Sequence, residues 1–217
     1  MNTADPTMNT AEEHVARMLR SGTDAGQAGQ LARLRARLAD HAAAAGFLDV
    51  AYRTLDTALG PLLLAATPRG LVRIAYACQD HDAVLAQLAG RISPRVLRAP
   101  ARLDAAARQI GEYLAGQRAS FDLPVDLRLA RGYRRTVLTY LPAIGYGRTA
   151  SYAAVAAATG NPKAVRAAGT ACATNPLPLV IPCHRVIRSD GTLGAYAGGT
   201  EAKRTLLDLE AAGHTAG

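Results

Sequence analysis

No run of apolar residues in this sequence is long enough to cross a bilayer: the longest, 61–67, has seven residues where about twenty are needed. The first residues carry acids rather than the basic cluster and apolar stretch of a secretory leader, so the chain is expected in the cytoplasm. Cysteine is scarce. Cys78, Cys172 and Cys183 lack the paired spacing of a zinc site, and their odd number leaves a free thiol under any pairing. Both facts point to a reducing compartment and to no structural metal. Internal repeats and cofactor-binding motifs are missing too, and no cofactor is expected. What remains is a chain of 217 residues, enough for one large or two small domains with real cores.

The net charge is +8 and is unevenly placed. Residues 131–217 hold ten Lys plus Arg against four Asp plus Glu, a net of +6, while residues 1–130 hold fifteen against thirteen, a net of +2. The carboxy-terminal half is therefore the one suited to a polyanion.

Residues 1–45 read as a helical extension: Thr10 with Glu13 makes a possible capping box, and Leu31, Leu34 and Leu38 form an apolar stripe among arginines, able to dock on the body or on a partner. Residues 46–130 change to short β-type runs at 50–55, 60–66 and 70–77, separated by turns, which predicts an antiparallel meander. Helical periodicity follows at 80–91 and 103–114, and 121–127 reads as another strand. Residues 131–217 begin with a helix over 132–144. Thr149 or Ser151 then caps a helix to Ala158, Gly160 marks a turn, and 163–173 forms a second helix, a helix-turn-helix candidate. That second helix presents Ala164, Ala167, Ala168, Gly169 and Ala171, with only Lys163 and Arg166 long. Such a surface reads base edges poorly. It suits close approach to a minor groove, with one arginine to fill or prop a gap.

The stretch from Asn175 to Val186 holds the strongest chemical candidate. Cys183 ends a strand-like apolar segment stiffened by Pro176, Pro178 and Pro182, and His184 and Arg185 follow at once, which would lower a thiol pKa. A cysteine after Val-Ile-Pro also serves a core as a small hydrophobe, so the residue alone leaves both readings open.

Pro182-Cys183-His184-Arg185-Val186, with Asn175-Pro176 before it and Gly194-Ala195-Tyr196-Ala197-Gly198-Gly199 after it, resembles the active-site signature of the O6-alkylguanine-DNA alkyltransferases. Ser151-Tyr152 and the run from Gly160 to Ala167 extend the resemblance over 132–213, and Asp56 to Pro61 matches the family's first hairpin loosely. The resemblance implies an α+β chain: a small α/β domain with an antiparallel, ribonuclease H-like sheet, then a mostly helical domain carrying the helix-turn-helix. It implies stoichiometric transfer of an alkyl group from guanine O6, and from thymine O4, in double-stranded DNA to Cys183 of a monomer, with the base flipped out through the minor groove. By the same likeness His184 and Glu210 form the relay that takes the thiol proton across a water, Asn175 bonds near the sulfur, and Tyr152 assists the departing oxygen. Arg166 replaces the flipped base, and Lys163, Ala164, Ala167, Gly169 and Ser189 meet DNA. Tyr196, Ala197, Gly198, Cys172 and Leu193 line the pocket, where Ala197 replaces a common serine and leaves only its backbone amide to the base.

Three rival readings compete. An alkyltransferase-like protein would bind lesions without transfer, but those relatives lack the cysteine. A helix-turn-helix regulator would want base-reading side chains. A Cys-His hydrolase would want an oxyanion-hole glycine motif before Cys183.

Overall fold

A computed structural model describes Gly26, residues 29–42 apart from 32, 36 and 40, and residues 44–214. Thr10 and Glu13 lie outside the described residues. The leading segment is helical where described between 29 and 44, but Leu31, Leu34 and Leu38 are 46%, 54% and 60% exposed while Ala39 is buried. The face carrying Ala39, rather than the leucine stripe, meets the body.

Strands β1 (Val50–Leu55), β2 (Leu62–Thr67) and β3 (Gly70–Tyr76) form the expected meander, joined by turns that use positive φ at Gly60 and Gly70. Two details of the first domain differ from the sequence reading. A fourth strand, β4 (Val96–Arg98), pairs parallel to β1 and makes the sheet mixed, in the order β3-β2-β1-β4. Three residues between turn formers are too short a run to announce themselves. The segment 121–127 is no strand: Val125 makes one isolated bridge to Leu71, and a 3₁₀ turn begins at Leu127. Pro124 has no N–H for a ladder, and its carbonyl accepts from Leu71 N instead at 2.8 Å.

Helices α1 (His81–Arg91) and α2 (Asp104–Leu114) fall where their periodicity places them. Asp80, at φ +52°, caps α1 by accepting from the amides of Asp82 and Ala83. On α2, Ala106, Ile110 and Tyr113 share one buried face at helical spacing.

The second domain starts with α3 (Gly132–Tyr140), which gives way to a 3₁₀ turn at Leu141–Ala143. Pro142 lacks the amide that would continue the helix to 144. A two-residue strand β5 (Ala150–Ser151) precedes α4 (Tyr152–Ala158), and α5 (Val165–Ala173) follows a turn with Gly160 at φ +78°. Ser151 Oγ caps α4 by accepting from Ala154 N at 3.0 Å. Buried Val155 and Ala156 on α4 and Ala168 and Ala171 on α5 join the main core, so the helix-turn-helix stands on alanine packing. Strand β6 (Val186–Ile187) pairs parallel to β5, and α6 (Gly199–His214) closes the domain.

Candidate active site

The segment before Cys183 is a buried, turn-rich loop rather than a strand. Its three prolines cannot donate to a ladder, so a side chain supplies the missing bonds. Asn175 Oδ1 accepts from Leu177 N at 2.9 Å, and its Nδ2 donates to Ile181 O at 2.8 Å and to Cys183 Sγ at 3.1 Å. One amide therefore folds the loop and touches the sulfur. Leu179 is held at φ +73°, a strained conformation for a branched residue.

A 3₁₀ turn at Cys183–Arg185 solves the problem that neighbours on an extended chain face opposite ways. His184 is fully buried, and its Nε2 lies 2.7 Å from Glu210 Oε1 on α6. With Glu210 ionised, Nε2 carries the proton and Nδ1 is left as a bare acceptor, buried and without a protein partner. Glu210 is 1% exposed and collects further donors: Tyr113 Oη, Arg185 Nε at 3.1 and 3.0 Å from its two oxygens, and Gly147 N at 3.0 Å. Burial pushes its carboxyl up, but the bonds from His184, Arg185 and Tyr113 outweigh that and bring it to about 2.

The sulfur itself is not activated at rest. Cys183 is 2% exposed, and burial pushes its thiol up to about 11, against the smaller opposing pulls of Asn175 and the Lys203 charge. The sequence reading expected His184 and Arg185 to lower it. Arg185 instead turns its guanidinium to Glu210 and to Ile144 O at 2.5 Å, and His184 is itself held below its ordinary value by burial. A thiol with a bonded Asn, a neutral imidazole acceptor and a fixed carboxylate behind it can lose its proton at the moment of attack.

Comparison with known proteins decides the family. Residues 50–127 match the 6-O-methylguanine DNA methyltransferase ribonuclease-like domain, and residues 132–212 match the DNA-binding domain of the same family. The chain belongs to the 6-O-methylguanine DNA methyltransferase family. A methylated-DNA–protein-cysteine methyltransferase of Mycolicibacterium paratuberculosis is 37% identical over 74% of this chain and 92% of its own. The constitutive one of Bacillus subtilis is 37% identical over 73% of this chain and 94% of its own. Among solved structures, the O6-methylguanine methyltransferase of Mycobacterium tuberculosis superposes with a TM-score of 0.67 at 36% identity, over 75% of this chain and 93% of that one. The same organism's OGT in complex with DNA superposes at 0.64 with 34% identity, over 75% and 94%.

Around the thiol of this methyltransferase-family chain, the residues singled out from the sequence fall into two groups. Tyr152, half-buried, and Cys172, 2% exposed, lie near enough to Cys183 for its charge to bear on them; burial, with that charge, pushes both up to about 12. Tyr196 is buried, its ring edge-on to His184 with centroids 6.2 Å apart, and its hydroxyl is 2.9 Å from that of Tyr76 on β3. Leu193, Ala197 and Gly198 are half-buried along the loop between β6 and α6. The second group lies on the surface: Lys163, Arg166, Ala167 and Ser189 are exposed, and Ala164 and Gly169 are half-exposed, Gly169 against the Tyr152 ring.

Sequence reasoning missed two residues. Tyr113 comes from the first domain, donates to Glu210 Oε1 and lies 3.2 Å from His184 Nε2. Its apolar spacing on α2 marked it as core and said nothing of its hydroxyl. Lys203 is fully buried and clasps the loop after β6 by donating to Val186 O at 2.6 Å and reaching Gly194 O at 3.5 Å. Its place seven residues before Glu210, two turns along one face of α6, was the available signal.

Proposed function

We infer that the protein repairs DNA by moving an alkyl group from guanine O6 in double-stranded DNA onto Cys183, one molecule per lesion. The observation that carries the site assignment is a pair of hydrogen bonds at two adjacent residues, Asn175 to Cys183 and His184 to Glu210, with His184 Nδ1 left as a bare acceptor. The thiol proton passes to His184 Nδ1 through a water, and the sulfur attacks the alkyl carbon from the side opposite O6. The carbon–oxygen bond breaks and its electron pair returns to the base. Tyr152 donates a hydrogen bond toward the departing oxygen, and the base takes up one proton as guanine while His184 returns to neutral. The product is a thioether. A thioether is a poor leaving group, so the reaction stops there.

DNA engages the surface of Lys163, Ala164, Arg166, Ala167, Gly169 and Ser189 through the minor groove, with Arg166 filling the gap left by the flipped nucleotide. Tyr196, Ala197, Gly198, Cys172 and Leu193 line the pocket that receives the base. Thymine O4 adducts are further substrates, and the protein acts as a monomer in the cytoplasm. The experiment is incubation with a duplex carrying radiolabelled O6-methylguanine. Label is expected on the peptide containing Cys183 and absent from Cys183→Ser; tight binding without label would overturn the reading in favour of lesion recognition alone.

A further inference from the structure

Between α1, β3 and the end of α5 lies a cleft of about 490 Å³ whose walls include Arg73, Arg91, Arg134, Gln79, Gln87 and Thr174, and no Asp or Glu. Among the described residues none of these three arginines forms an ion pair, although six of the seven ion pairs there engage an arginine. Arg134 is fixed in place by the Leu129 carbonyl and by Thr174 Oγ1 at 3.4 Å. Arg73 projects from the edge strand between buried Val72 and Ile74, half-buried itself, and Arg91 stands exposed at the rim. Burial, then the charges of Arg134 and Arg91, holds the Arg73 guanidinium below its ordinary value, so the three cations act on one another. Like charges brought together without a counter-ion raise the local potential for an anion, and guanidinium forks match the oxygens of a tetrahedral oxyanion.

We propose that this cleft binds a phosphate group, held by Arg73, Arg91 and Arg134 between the two domains. The two sources of that chemistry are a backbone phosphodiester of the DNA and a free phosphate or nucleotide. Arg166 stands near the start of α5 and the cleft at its end, a helix of nine residues and so about 13 Å at 1.5 Å per residue, within reach of the same duplex. Occupancy also braces the junction that carries Asn175: Ile74 N, next to Arg73, donates to Pro176 O at 2.8 Å, and Asn175 lines the cleft.

Inorganic phosphate is titrated into the whole protein at constant ionic strength, following thermal denaturation and the arginine Nε–H signals by NMR. A saturable response is expected, weakened about tenfold or more by loss of one charge-assisted contact in Arg91→Gln, whose exposed position leaves folding intact, and further in Arg73→Gln with Arg134→Gln. No saturable response, or one that Arg91→Gln leaves unchanged, overturns the proposal. Displacement of phosphate by undamaged duplex identifies the DNA backbone as the source; simultaneous binding of both identifies the small phosphate. Neither result depends on transfer to Cys183.

Discussion

At the scale of single residues the site is organised by Glu210, a carboxylate removed from water and bonded by an imidazole, a phenol, a guanidinium and a backbone amide. Three of these contacts each fix one thing: that with His184 its tautomer, that with Arg185 the carboxylate's charge, and that with Tyr113 the oxygen that His184 shares. Tyr113→Phe removes a bond to a charged acceptor, worth about 1.5–3 kcal/mol, and stability to urea is expected to fall by that order. The same change leaves Glu210 more basic, which supports a protonated His184 more strongly. The acid limb of the rate against pH with free O6-benzylguanine should therefore move to higher pH. A residue that merely filled space would lower stability and leave that limb in place.

At the scale of elements, two pieces of chain matter most: the loop between β6 and α6, and α5. Gly194 is buried against Tyr152, and a Cβ there would collide with the Tyr152 hydroxyl. Gly194→Ala is expected to displace Tyr152 and to cut the transfer rate, by about tenfold for a lost hydrogen bond of about 1.4 kcal/mol, with the free base and with duplex alike. Equal rates for variant and wild type would remove Tyr152 from its proposed role. On α5 the expectation is asymmetric. Arg166 is exposed on the surface, away from the buried Cys183, so Arg166→Ala should slow repair in duplex DNA and spare the reaction with O6-benzylguanine. Parallel losses on both substrates would remove it from base flipping.

At the scale of the whole molecule, the two domains are joined through the site and not merely tethered beside it. Tyr113 reaches Glu210, Tyr76 meets Tyr196, the Ile74 amide meets Pro176, and Cys78 Sγ lies 3.5 Å from Ala197 O. The pH dependence of stability follows from the same junction. Glu210 is held at about 2 against an ordinary 4.5, so its contribution is complete above pH 4.5 and is lost as pH falls toward 2, about 3 kcal/mol in all. His184 is held below its ordinary 6.5, so the folded state also loses ground as pH falls through that value. Urea midpoints measured from pH 7 to pH 3 should therefore decline, with the steepest part below 4.5 flattened in Glu210→Gln.

The sequence by itself determined the elements whose signal is local. Periodic apolar spacing placed β1, β2, β3, α1, α2 and the helix pair, because burial of one face writes the period into the chain. Cys183 and His184 were legible since they are adjacent in sequence and follow prolines that restrict the backbone; Asn175 and Glu210 were legible only through the family resemblance. The tertiary structure decided what depends on residues far apart. The partners of Tyr113 lie 71 and 97 residues away, and β4 exists because β1 offers an edge to three residues with no pattern of their own. The direction of the Cys183 pKa was decided there too: sequence adjacency set a histidine and an arginine next to the sulfur, but the 3₁₀ turn and the buried carboxylate turned both toward Glu210, leaving burial to govern the thiol.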